Sequence, residues 1–133
     1  MIIGSVSENR EIEKRISITP DLVKKYTNFG FKVILEKNYG SHLGFKDQEY
    51  EKEGCEFDER SQVFIKSDII LQLNLPEETD LKNLRENQSL IGVFNVHANI
   101  EKLKNLSDKK INIFSLELLP RITRAQSMDI LSS

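Results

Sequence analysis

Thr19-Pro20-Asp21-Leu22-Val23-Lys24-Lys25-Tyr26-Thr27-Asn28-Phe29-Gly30-Phe31-Lys32-Val33-Ile34-Leu35-Glu36 changes its period halfway, and that change decides the fold. The first part is helical. Thr19 can accept an N–H bond as N-cap, and Pro20 suits the first helical position, where its missing N–H is no loss. Asp21 sits at the positive end of the helix dipole. Leu22, Val23, Tyr26 and Phe29 fall on one face, and Gly30 is a natural stop. Phe31 to Glu36 is then rich in Val, Ile and Phe, as a strand is.

The alternation continues on both sides. Met1 to Val6 reads as a first strand. After Glu36 comes a glycine-punctuated loop, Tyr39 to Gly44. Asp47 to Glu53 is a short polar helix ended by Gly54. Cys55 to Phe57 is a short edge strand, Ser61 to Lys66 a helix, and Asp68 to Leu73 a strongly apolar strand. Pro76 breaks the pattern. Asp80 to Arg85 reads as a short helix and Ser89 to Phe94 as a strand. Asn99 can cap a helix carrying Ile100, Leu103 and Leu106 inward. Ile111 to Leu116 is the last strand, and from Thr123 the chain reads as helical. Short apolar strands separated by helices of this length predict an α/β fold. We expect one domain over residues 1–133: a flavodoxin-like or Rossmann-like parallel sheet with right-handed crossovers and helices on both faces.

Composition narrows the function classes. The 133 residues are 38% hydrophobic and 30% charged, ordinary for a globular domain. Lys plus Arg number 19 against 21 Asp plus Glu, so charge gives no reason to propose nucleic acid. No apolar run approaches the roughly 20 residues that span a bilayer, and no signal peptide is visible. Any membrane role is therefore expected through a partner. Cys55 is the only cysteine, which excludes an internal disulfide and suggests a reducing compartment. Its simplest role is a small apolar residue near a strand.

Few residues announce chemistry. There is no G-x-G-x-x-G and no G-K-[ST]. Gly40-Ser41-His42-Leu43-Gly44 reads as a turn rather than a phosphate cradle. His42 and His97 are the only histidines, too few with one cysteine to suggest a metal site. His97 follows a strand, where ligands of open α/β sheets gather, yet a polar loop histidine explains it too. Arg15 could grip a carboxylate bidentately, or simply pair with Glu11 or Glu13. The segment Leu119-Pro120-Arg121-Ile122-Thr123-Arg124-Ala125-Gln126-Ser127-Met128-Asp129-Ile130-Leu131-Ser132-Ser133 gathers polar groups at a strand-to-helix corner. Arg121 offers a fork of donors, Gln126 a donor and an acceptor, Asp129 an acceptor. That mix could hold a carboxamide; a capped amphipathic helix explains it equally well.

Three stretches carry a resemblance. Arg15-Ile16-Ser17-Ile18-Thr19-Pro20 looks like R-V-A-x-T-P, and Gly44-Phe45-Lys46-Asp47 through Tyr50 and Gly54 looks like G-F-x-D-x-x-Y-x-x-x-G. With Pro120 to Asp129 and Leu131-Ser132-Ser133, they resemble the N-terminal domain shared by alanine dehydrogenases and the alpha subunits of NAD(P) transhydrogenases. The likeness runs from Ile2 to Ser133. It places Asn74 and Asn95 where alanine dehydrogenases use a Lys and a His. Neither Asn transfers a proton near neutral pH, so the resemblance points to the transhydrogenase branch. His97 could replace the second group only through a shift in alignment.

That branch implies NAD(H) bound by this subunit, NADP(H) on a partner domain, and hydride transfer from NADH to NADP+ coupled to proton movement. By the same resemblance, Arg121, Gln126 and Asp129 sit at the nicotinamide, as catalytic and cofactor-binding residues, with Ser132 as a further contact. The implied partners are membrane-embedded and NADP(H)-binding transhydrogenase subunits, within a homodimeric assembly on the cytoplasmic side of an inner membrane. The family's Gly-rich NAD-binding domain is expected after Ser133, so this chain alone is expected to be inactive and to bind NAD(H) weakly. Two alternatives stay open: the substrate domain of an alanine dehydrogenase or related amino-acid dehydrogenase, with Arg15 on a keto-acid carboxylate, and a non-catalytic binding module of the same fold.

Overall fold

A computed structural model of the protein describes residues 1–116. These form one six-stranded, wholly parallel sheet. The strands are β1 (Ile2–Ser5), β2 (Lys32–Glu36), β3 (Glu56–Asp58), β4 (Ile69–Leu71), β5 (Ser89–Gly92) and β6 (Asn112–Ser115). They lie side by side in the order β3-β2-β1-β4-β5-β6. Helices α1 (Pro20–Asn28), α2 (Asp47–Lys52), α3 (Arg60–Lys66), α4 (Glu78–Leu81) and α5 (Ile100–Asp108) make the crossovers. The doubly wound parallel sheet expected from the sequence is the fold observed.

Each face of the sheet carries its own core. On one face Val23 of α1 and Tyr50 of α2 pack against Ile3, Val33 and Leu35. On the other, Val63 and Phe64 of α3, Leu81 of α4, and Leu103 and Leu106 of α5 pack against Ile34, Ile70 and Leu90. Fully burying one such side chain is worth about 1.5–3 kcal/mol. Beneath β2 and β3, Tyr50 stands edge-on to Tyr39, Phe45 and Phe57 at centroid distances of 6.0, 6.3 and 6.1 Å. The Tyr50 hydroxyl donates to Ile18 O at 2.9 Å, while Tyr39 Oη accepts the N–H groups of Ser17 and Ile18. Together these rings clamp the strap that leads into α1.

The local signals around α1 hold. Thr19 caps it, Pro20 opens it, and Gly30 leaves it at φ +93°. Phe29, expected on the apolar face of α1, is instead its C-cap and 70% exposed, and three further expectations need correction. The helix expected over Asp80 to Arg85 lies earlier, at Glu78–Leu81. It starts right after Pro76, with Glu77 at its N-cap, and the Gln88 side chain takes the Arg85 N–H that a longer helix would need. Asn99 occupies the N-cap position of α5, but its side chain does not cap. Its amide instead donates back to Phe94 O at 2.8 Å and Asn95 O at 3.2 Å. Ile100 faces outward, 57% exposed. Residues three apart drift about 60° around a helix, so a stripe centred on Leu103 and Leu106 leaves Ile100 beyond its edge. The helix expected from Thr123 onward lies outside the described residues.

Both ion pairs at the β3 edge are solvent-facing. Lys32 reaches Glu56 at 3.1 Å, and Lys66 reaches Asp58 at 2.6 Å.

Candidate functional site

The strand order reverses between β1 and β4. Chain leaving β1 heads for β2, and chain leaving β4 heads for β5, so the loops diverge and leave a crevice beyond the carboxyl ends of both strands. A cavity of about 800 Å³ opens there. The loop Ser7 to Ile12, the end of β2, Arg60 and the segment around Asn74 to Asp80 line it.

The seam beneath the crevice is short. The β1–β4 ladder pairs only Ile3 with Ile69 and Gly4 with Ile70. Past it, the buried Gln72 side chain stands between the strands. Its Oε1 accepts from Val6 N at 2.7 Å and Ser5 Oγ at 3.0 Å. Its Nε2 donates to Val6 O at 3.2 Å and Glu8 Oε2 at 2.7 Å. A primary amide offers the same donor and acceptor as a peptide group, so Gln72 acts as one further rung.

Glu8 extends the theme. Its carboxylate accepts Leu73 N at 2.9 Å and Asn74 N at 3.1 Å. Burial nevertheless pushes its carboxyl above the ordinary value, against the pull of those N–H donors.

Arg60 closes the other wall. Its Nε and Nη2 grip Asp80 at 2.8 and 2.7 Å, a bidentate pairing. Its Nη1 donates to Glu36 Oε1 and Ser7 O, each at 3.0 Å. Glu36 Oε1 also accepts Ser7 N at 2.9 Å. The Asp80 hydrogen bonds hold the guanidinium above its ordinary pKa. The pocket wall is therefore polar but internally paired. It can shape and exclude water, while Glu8, Glu36 and Asp80 already serve internal donors.

The residues singled out from sequence fall in several places. Arg15 is exposed and pairs with Glu13 at 2.7 Å. The same pairing depresses the Glu13 carboxyl. His97 is exposed in a 3-10 turn, Val96–Ala98. His42 Nε2 meets Lys14 O at 2.7 Å, tying down the Gly40–Gly44 turn. Asn74 sits on the cavity lip with its backbone N–H on Glu8. Asn95 adopts a left-handed conformation at φ +48°. Arg121, Gln126, Asp129 and Ser132 lie outside the described residues. The sequence reading missed Glu8, Glu36, Arg60, Gln72 and Asp80. The signal available was position: Glu8, Glu36 and Gln72 each stand at or just past a strand end.

Comparison with known proteins agrees with this geometry. Residues 4–133 match the family described as alanine dehydrogenase/PNT, N-terminal domain. The chain is 35% identical over its whole length to the NAD(P) transhydrogenase subunit alpha of Haemophilus influenzae, covering 26% of that protein. It is 28% identical to alanine dehydrogenase 1 of Staphylococcus aureus, covering 36% of it. The crystal structure of transhydrogenase from Sinorhizobium meliloti superposes with a TM-score of 0.88 at 32% identity, over 99% of this chain and 40% of that one. An L-alanine dehydrogenase shares the fold, with a TM-score of 0.81 at 21% identity. This chain thus spans about a quarter to two-fifths of the length of these relatives. With its switch-point crevice and a match over residues 4–133, the chain belongs to the alanine dehydrogenase/PNT N-terminal domain family.

Proposed function

We propose that this chain is the N-terminal domain of an NAD(P) transhydrogenase alpha subunit and that it helps hold NAD(H) for hydride transfer to NADP+. The supporting observation is the pair of strand-end asparagines. Asn74 and Asn95 follow β4 and β5, where an amino-acid dehydrogenase of this family needs groups that move protons. Two carboxamides cannot do so, and hydride transfer between nicotinamides does not ask for it.

In this reading Arg121, Gln126 and Asp129, with Ser132 beside them, position the carboxamide of the nicotinamide ring. The protein's contribution is then alignment and water exclusion. NADP(H) is held by a partner domain, and the assembly is a homodimer joined to membrane-embedded subunits on the cytoplasmic side. Among the described residues no helix is long and apolar enough to cross a membrane, which fits attachment through partners. No group of three His, Cys, Asp or Glu residues among them could hold a metal ion.

The test is Gln126→Ala in the intact subunit. Hydride transfer should fall by about 100-fold, the scale set by misplacing bound reactants by an ångström. The dissociation constant for NADH should change far less. Unchanged turnover counts against the role of Gln126. Pyruvate-dependent NADH oxidation by the unaltered protein would favour the amino-acid dehydrogenase reading instead.

A further inference from the structure

The strap between β1 and α1 is pinned at both ends and loose in between. Three side chains hold its start. Val6 exchanges two hydrogen bonds with Gln72, Ser7 N donates to Glu36 at 2.9 Å, and Ser7 O accepts from Arg60 at 3.0 Å. The Glu8 carboxylate takes Leu73 N and Asn74 N. The return leg is held as well. The Glu13 carboxylate takes Arg15 and lies against the Asn74 side chain. Lys14 O meets His42 Nε2 at 2.7 Å, and the Tyr39 hydroxyl takes Ser17 N and Ile18 N.

Residues 9–12 between these anchors form one helical turn that satisfies itself. Ile12 N and Glu13 N donate to Asn9 O at 3.0 and 2.8 Å, and Glu11 N donates to Asn9 Oδ1 at 3.1 Å. Arg10 Nη2 reaches out of the turn, across solvent-exposed ground, to Asn38 O beyond β2. The turn carries Ile12, which is 76% exposed and belongs to neither core. A lone exposed isoleucine is ordinary on a protein surface. Here it is mounted on a self-bonded unit at the rim of the switch-point crevice, and Leu75 and Pro76 line the same cavity from beyond β4.

We infer that residues 9–12 are a flap over the crevice, hinged at Glu8 and Glu13, which shuts by carrying Ile12 onto Leu75. Arg10 is the tether. Bonded to Asn38 O, it holds the flap on the β2 side, and shutting requires that bond to break. An exposed hydrogen bond is exchanged for water at small net cost, and the apolar contact of Ile12 with Leu75 is gained in return. Both hinge residues rest on the loop beyond β4, at Leu73 and Asn74, so the base stays in place while the apex swings. The turn keeps its internal hydrogen bonds throughout, so the motion strands no backbone group. Shut, the flap withdraws Glu8 and Gln72 from bulk water, which strengthens their electrostatic hold on a polar ligand in the crevice.

Paired cysteines read the motion. Cys55 is the chain's one cysteine, so Cys55→Ala gives a thiol-free background. In the full chain with Ile12→Cys and Leu75→Cys added, oxidised glutathione should close an intramolecular disulfide, because the shut flap brings the two β-carbons within bridging distance. Arg10→Ala should speed that closure about fivefold, the worth of one modest hydrogen bond. It should slow the pair on the other wall, Ile12→Cys with Lys37→Cys. Where Leu75→Cys does not fold, Thr79→Cys, exposed on the same wall of the cavity, takes its place with the same expectation. No disulfide from Ile12→Cys to either residue of that wall overturns the inference. So does an equal acceleration at both walls, which would mean loosening without direction. No coenzyme enters the experiment, so its outcome is separate from that of the hydride-transfer reading.

Discussion

At Glu8, burial and hydrogen bonding pull in opposite directions. The carboxyl is half-buried between β1 and β4, and three N–H groups point at it. Burial prevails, and its pKa lies above the ordinary 4.5. The folded state then holds a proton that the unfolded state releases first. The stabilisation is complete below the ordinary value and is lost as pH rises through the raised one. Carboxyl 13C titration should place the Glu8 midpoint above 4.5, and Glu8→Gln should flatten stability across that window. A midpoint at or below 4.5 would mean that the N–H donors outweigh burial. Only its place just past β1 marks Glu8 in the sequence, because its donors lie just past β4, 64 to 66 residues away. Cys55 is the contrasting case. Its reading as a small apolar residue near a strand needs only neighbours in sequence, and the thiol is buried beside β3 with its pKa pushed up to about 12.

The seam between β4 and β5 depends on Gly92. A Cβ at that position would lie 1.9 Å from Gln72 O and 2.5 Å from the Phe94 ring. The first of these is backbone, which cannot swing aside. Gly92→Ala should cost about 3 kcal/mol, the upper end for overpacking, read as a lower urea midpoint at unchanged slope. A loss under about 1 kcal/mol would show that the seam can spread. The sequence reading does not reach this requirement, because a glycine within an apolar run predicts only a strand. Helix α1 was legible because cap, proline, dipole and the apolar residues Leu22, Val23 and Tyr26 agree within one short stretch, although Phe29 turns outward. The misplacement of α4 and the inward reading of Ile100 have a common origin. Short helices are bounded by side chains from elsewhere, such as Gln88, and by which arc of their surface meets the sheet.

Across the whole molecule Arg60 ties pieces that the strand order separates. One guanidinium bonds Ser7 after β1, Glu36 at the end of β2, and Asp80 in α4. Its side chain is 37% exposed, so its loss should fall between the values for surface and buried ion pairs. Arg60→Ala should cost about 2 kcal/mol by urea unfolding, and Arg60→Lys should restore only part, lacking the fork. A change below about 0.5 kcal/mol would mean that the carboxylates are content in water.

The two borders of the sheet have opposite characters. Strand β3 is three residues long and carries Glu56 and Asp58, each matched by a lysine. Charge and brevity of this kind discourage another chain from adding on. Among the described residues, the β6 border carries no charge and leaves Phe114 54% exposed. The sheet is thus a ribbon with one sealed margin. Among the described residues, unwanted fibre growth or crowding-induced clumping would enter at β6, and a charged substitution there should suppress both.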